Sequence, residues 1–180
     1  MDFINSYAIV AYVAGPIARF TDRLRGDLVP GTGHHSHITV LRPRPLDGAL
    51  PEASDFAARL VAQFEPFEVS IGEVQVFEST SVIYLALNEG IADLTAMHDV
   101  LNTGPLGQPE PFDYVPHVTL GQNLPPEVFG QCVDLARRRW TEFGPAPLLR
   151  IDTLTFVQQR VDGSWHDLAE LGLGQVPAVG

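Results

Sequence analysis

The chain has 180 residues, 45% of them hydrophobic and 18% charged, which is the make-up of one substantial folded domain or of two small lobes sharing a core, and not of a disordered chain. Its 22 acidic against 11 basic side chains leave a formal charge of −11, which excludes a broad groove for long nucleic acid, because phosphate tracks are neutralised by clustered cations. The single cysteine, Cys132, excludes an internal disulfide and a thiolate zinc site, and Met1-Asp2-Phe3-Ile4-Asn5 does not read as a signal peptide, so a cytoplasmic location and no membrane partner are expected.

Tyr7 to Val13 is a short apolar run bounded by Gly15-Pro16 and reads as a buried strand; Ile17, Phe20 and Leu24 then recur at helical spacing until Gly26. A loop from Val29 to Gly33 leads into a strand over about His35 to Leu41, which Pro43 and Pro45 close. Pro51-Glu52 opens a helix with an apolar stripe of Phe56, Leu60, Val61 and Phe64. Phe67 to Ile71 alternates as a strand, shifts phase at Gly72, where a bulge is expected, and resumes with Val74 and Val76. Val82 to Leu87 is another buried strand, and Ile91, Leu94, Met97 and Leu101 form a helix ended by Gly104-Pro105. The proline-rich loop 105–116 delivers a strand over about Val115 to Gly121. Pro125-Pro126 starts the strongest helix, with Val128, Phe129, Cys132, Val133, Ala136 and Trp140 on its apolar side. Leu148 to Val161 reads as one long strand, Asp162-Gly163 as a hairpin turn, Trp165 to Leu171 as the returning strand, and 175–180 as a tail.

The order strand, helix, strand, helix, strand therefore occurs twice, with first strands near 7 and 81 and closing strands near 67 and 148. Each repeat carries a related four-residue stretch, His37-Ile38-Thr39-Val40 and His117-Val118-Thr119-Leu120. On a strand, His and Thr point to one face and the aliphatic residues to the other, so one face carries chemistry and the other packs. Two imidazoles with two hydroxyls suffice to cleave a phosphodiester: one ring takes a proton from the nucleophile, the other gives one to the leaving oxygen, and the hydroxyls hold the phosphoryl oxygens. A duplicated unit brings the two motif strands together across a pseudo-twofold axis, where the substrate is expected.

With these motifs and this element order over about residues 5 to 171, the chain resembles the two-histidine phosphoesterases, the group of 2′-5′ RNA ligase-like proteins and cyclic phosphodiesterases, whose pattern is His-x-Ser/Thr-x twice. The resemblance implies an α+β, bilobal fold: two pseudo-twofold-related lobes, each a mainly antiparallel sheet with outer helices, with the active-site groove between them. The domain would span 1–174, its lobes formed around repeats 5–78 and 80–172. It implies metal-independent action on 2′,3′-cyclic phosphates or 2′-5′ linkages of RNA ends or small nucleotides, without a cofactor and as a monomer. His37 and His117 would be the acid–base pair, in either order, and Thr39 and Thr119 the phosphate holders. Aromatic and basic groups near the groove would hold base and phosphate, and this chain offers Tyr12, His35, Arg42, Arg44, Phe77 and Tyr84.

Other readings stay open beside this one. His34, His35 and His37 crowd together as metal ligands can, but alternation separates His34 from the other two and no carboxylate lies nearby in sequence, so no metal is expected. Arg42 and Arg44 serve either phosphate or surface salt bridges; Cys132 packs rather than reacts; His98 and His166 are structural or exposed; Gly31-Thr-Gly33 is too short for a phosphate loop. The alternative function is a nucleotide- or RNA-end-binding module with little or no catalysis.

Overall fold

The computed structural model describes residues 2–31, 35–146 and 148–175, so His34, Gly33 and residues 176–180 of the expected tail lie outside it. The elements run β1 (Phe3–Tyr12), α1 (Gly15–Leu28), β2 (His37–Arg44), α2 (Leu50–Val61), β3 (Phe67–Phe77), β4 (Val82–Glu89), α3 (Ile91–Leu101), β5 (His117–Gly121), α4 (Pro126–Phe143), β6 (Leu149–Ile151), β7 (Thr153–Arg160) and β8 (Trp165–Gly172). The strands form one antiparallel sheet in the order β6-β3-β4-β5-β2-β1-β7-β8. The motif strands β2 and β5 are its central seam, with three further strands on each side, which is the bilobal α+β arrangement expected.

Each side of the seam draws strands from both repeats, so the two sides are not lobes formed separately around 5–78 and 80–172 as expected. β3 ends the first repeat but pairs with β4, whereas β7, late in the chain, pairs with β1. The long strand expected over 148–161 is two strands broken at Asp152: β6 pairs with β3 and β7 with β1. The two residue steps from Ile151 to Thr153 span at most about 7 Å, so the outer strands must converge at this end and the sheet is strongly curled. The Asp152 carbonyl, taken out of the ladders, accepts from the Leu173 N–H at 2.9 Å.

All four helices cover one face of the sheet, α3 packing on β2, α1 on β5, α2 on β8 and α4 on β3. The core there takes Ile9, Ala11, Ile38, Val40, Leu85, Val118, Leu120 and Phe156 from the strands and Ile17, Leu24, Ala57, Leu94, Met97 and Ala136 from the helices. The buried side of α2 is Ala53, Ala57 and Val61, so small residues let this helix approach the sheet closely, while Phe56 and Leu60 of the expected stripe are half-buried at its margin. Ile91, expected on the apolar side of α3, is exposed, and His98 is buried in its stead. Cys132 packs half-buried against the core.

Two local expectations are settled by the register. The phase shift of β3 falls at Gly72, where Ile71 pairs with Leu87 and Val74 with Leu85, so two residues on β3, Gly72 and Glu73, face one on β4, Ala86. A Cβ at Gly72 would stand 2.7 Å from Asn88 Oδ1, a side-chain end that can move aside, and 3.3 Å from the Ala86 carbonyl, which cannot do so as easily. By contrast, Pro43 does not end β2, which runs on to Arg44. The pairing with β1 shifts register between Leu41 and Arg44, and β5 pairs with β2 only at Ile38, so the missing proline N–H costs no ladder bond.

Gly90 starts α3 at φ +80°, and a Cβ there would lie 2.6 Å from Val69 Cγ2 and 2.8 Å from the Glu68 carbonyl. Gly90→Ala is therefore expected to lower unfolding free energy by about 2 kcal/mol, combining left-handed strain with a backbone clash. A urea melt showing less than a few tenths of that loss would contradict the close approach.

Candidate active site

The aliphatic residues of the two motifs aim the polar ones. Ile38 and Val40 are 0% exposed, and Val118 and Leu120 are 1% exposed. Burying four such side chains contributes roughly 1.5–3 kcal/mol each, and a one-residue slip would drive both histidines into the core, so the register is strongly held. Ile38 pairs with Val118 across the antiparallel seam. That register sets His37 opposite Thr119 and Thr39 opposite His117, all four half-buried on the helix-free face. Diagonal positions such as those of His37 and His117 are about 7–8 Å apart, a gap a phosphate group can bridge.

Both imidazoles are oriented in the same way. His37 Nδ1 lies 2.8 Å from the His35 carbonyl and His117 Nδ1 lies 2.7 Å from the Val115 carbonyl. A carbonyl only accepts, so each Nδ1 carries a proton and, in the neutral ring, each Nε2 does not. Burial pulls the His117 pKa below the ordinary imidazole value, against the opposing hydrogen bond to Val115.

The segments that supply these carbonyls are tied down from the helical side. Asp22 on α1 accepts from Ser36 N–H at 2.7 Å and Ser36 Oγ at 2.6 Å, with His35 Nδ1 at 3.4 Å. Burial works against its ionised form, but the Ser36 bonds and His35 overcome this and hold the carboxyl below its usual range. On the other side, Arg44 is neither a phosphate ligand nor a surface ion. It is buried, pairs with Glu110 and donates to Asn102 Oδ1 at 2.6 Å and the Leu106 carbonyl at 2.8 Å. Glu110 also meets His98 Nε2 at 3.0 Å; His98 stacks on Tyr114 with centroids 4.1 Å apart, and Tyr114 donates to the Thr39 carbonyl at 2.9 Å. The proline-rich loop is thereby clamped against β2 just before it delivers His117.

Aromatic side chains stand beside each histidine. Phe77 and Tyr84 stack with centroids 4.0 Å apart and present their rings to His117 at 5.0 and 5.1 Å. Tyr12 pairs with His37 across β1 and β2 and meets its ring edge-on at 6.4 Å. Burial raises the Tyr84 pKa, and burial together with the hydrogen bond to Asp167 raises that of Tyr12, so both phenols stay protonated.

Beside His37 the curled face holds a pocket of about 410 Å³ lined by Val10, Tyr12, His35, His37, Val157, Trp165, His166 and Asp167. Of the expected site residues it includes Tyr12, His35 and His37. Thr39, His117, Thr119 and Tyr84 lie along the seam and beyond it, and Arg42 is exposed outside the lining. His166, expected to be structural or exposed, accepts from Arg160 Nη2 at 3.2 Å and also borders this pocket. Asp167 and Trp165 carry no sequence signal of function: Asp167 accepts from Tyr12 Oη at 2.6 Å, a contact between residues 155 apart in the chain. Among the described residues no three His, Cys, Asp or Glu side chains are grouped as metal ligands would be, and no helix is long and apolar enough to cross a membrane.

Comparison with known proteins bears on the family and the fold. The family model described as the 2′-5′ RNA ligase superfamily matches residues 13–163. A protein named as a phosphoesterase in Halalkalibacterium halodurans is 24% identical over 178 residues, covering 94% of this chain and 98% of its own. The crystal structure of Escherichia coli LigT with phosphate superposes with a TM-score of 0.65 at 14% identity, over 97% of this chain and 100% of LigT. Kluyveromyces marxianus Usb1 with uridine monophosphate gives a TM-score of 0.51 at 15% identity, over 93% and 97% of the two chains. At these identities the two structures speak for a shared fold.

Proposed function

Because the chain belongs to the 2′-5′ RNA ligase superfamily, we propose that it is a phosphodiesterase that opens 2′,3′-cyclic phosphates, or splits and joins 2′-5′ linkages, in small nucleotides or at RNA ends. The supporting observation is the pair of imidazoles on adjacent strands, each with Nδ1 held by a backbone carbonyl, which assigns proton transfer to Nε2. The two halves of the sheet act as one catalytic unit of residues 1–174, since neither half holds both motifs.

In the hydrolytic direction His117 takes the proton of the attacking water, a role suited to a ring whose neutral form burial favours. Its Nε2 receives that proton as the water oxygen bonds to phosphorus. His37, protonated, gives its Nε2 proton to the departing ribose oxygen, and the Thr39 and Thr119 hydroxyls donate to the phosphoryl oxygens that gain charge. Acid and base are both imidazoles, so the cycle needs no metal. The phosphate held by LigT and the nucleotide held by Usb1 support a small phosphorylated ligand for this chain too.

Assay of the four 2′,3′-cyclic nucleotides tests the reading, with calorimetry beside it: binding without turnover marks a binding module instead. Turnover should follow a bell-shaped dependence on pH. The base must be neutral, so activity is lost as pH falls through the folded pKa of His117, and that limb should lie below the ordinary imidazole value near 6.5. A rising limb at or above that value would remove His117 from the role of base.

A further inference from the structure

The approximate twofold that exchanges the seam strands allows the two sides of the open face to be compared position by position. His37 pairs with Tyr12 and His117 with Ala86; two residues back on the inner strands, Val10 corresponds to Tyr84. Two further back, Ala8 pairs with Val157 and Val82 pairs with Phe77, so Val157 corresponds to Phe77. On the His117 side these positions hold two stacked rings that fill the space. On the His37 side they are valines, packed with Ala8 into a small apolar floor against Tyr12 and Trp165. The repeats have diverged so that valines stand beside His37 where rings stand beside His117, and the cavity bordered by these valines, at about 410 Å³, is within the usual range for a small-molecule site.

Away from its three imidazoles, His35, His37 and His166, the lining of that cavity suits the uncharged half of a nucleotide better than the phosphate. None of the chain's 11 arginines lines it, the chain has no lysine, and its one carboxylate, Asp167, repels phosphate. A flat, uncharged ring suits the two aromatic side chains and the valine floor. Asp167 is an acceptor only; Tyr12 Oη occupies Oδ1 from one side, and the carboxylate has lone pairs left for N–H donors on a ligand. The phenol, kept protonated, holds that carboxylate in place.

We propose that this cavity seats the heterocycle of the substrate and that Asp167 makes it select a base bearing an exocyclic amino group, with the phosphate directed to the seam. The inference rests on the phosphodiesterase reading for its substrate class, but concerns binding and is tested by binding. Cytosine and uracil are the discriminating pair, because they are alike in size and differ at the exocyclic C4 position, an amino group against a carbonyl whose lone pairs would face the carboxylate, while uracil's N3–H is a single donor one ring position away. A site built to receive a donor rejects the analogue that lacks it.

Calorimetry on the full chain with 3′-CMP and 3′-UMP should give at least tenfold tighter binding of 3′-CMP. Asp167→Asn, whose amide can donate to a carbonyl, should bring the ratio to about one or below, mainly by tightening 3′-UMP. Equal affinities in the unsubstituted protein, or a preference for 3′-CMP that survives Asp167→Asn, would overturn the proposal. Turnover of the matching 2′,3′-cyclic nucleotides is measured alongside. Absence of turnover with the binding preference intact would sink the phosphodiesterase reading while leaving the base pocket standing, and turnover without preference would do the reverse.

Discussion

His117→Ala is expected to lower turnover of a 2′,3′-cyclic nucleotide by about 10²- to 10⁴-fold, the usual worth of one positioned acid or base. His37→Ala should cost a similar factor on the same substrate, and thermal melts close to that of the unsubstituted chain would show that the loss is chemical. The two losses separate on a diester whose leaving group is p-nitrophenolate, which departs without a proton. With the acid no longer needed, His37→Ala should recover most of its activity there, while His117→Ala, lacking the group that activates water, stays low. Recovery by the opposite variant would exchange the two roles. If neither variant loses turnover on any cyclic phosphate, the two-histidine mechanism is wrong for this chain.

Glu110→Ala should be the most destabilising single substitution outside the apolar core. Arg44 and Glu110 have side chains 3% and 11% exposed, and removing the carboxylate leaves a buried guanidinium unbalanced, at a cost of about 3–5 kcal/mol. That is a large part of the roughly 5–15 kcal/mol available to a domain of this kind. The same variant removes an acceptor from His98 and loosens the stack that holds Tyr114 on the Thr39 carbonyl, so the loop presenting Val115 to His117 loses its anchor. Urea unfolding measures the first effect. The double variant Arg44→Met, Glu110→Leu should regain much of the lost stability, because an apolar pair needs no charge balance. A loss under about 1 kcal/mol in Glu110→Ala would mean that water reaches the pair and the clamp is not closed.

The chain's local patterns carried a good part of this architecture. Alternation in the two motifs was enough to separate packing residues from polar ones, because Ile38, Val40, Val118 and Leu120 have no stable place except the core. The phase shift at Gly72 showed the bulge, and the repeated order of strands and helices implied that β2 and β5 are equivalent. Each of these signals lies within a few residues, where side-chain periodicity and backbone sterics act directly.

Partnership between distant segments left no such trace. Leu148 to Val161 has the periodicity of one strand, and only the closing of the curled sheet splits it at Asp152 between β3 and β1. Arg44 looks like any surface cation until loop 102–110 folds over it, and Asp167 looks like any polar residue of a hairpin until Tyr12 arrives from the other end of the chain. The sequence by itself determined which side chains face the helix-free side of the motif strands; tertiary structure decided that a cavity lies beside His37, because a cavity is made by which residues from separate strands meet, and that depends on the competition of the whole chain for burial.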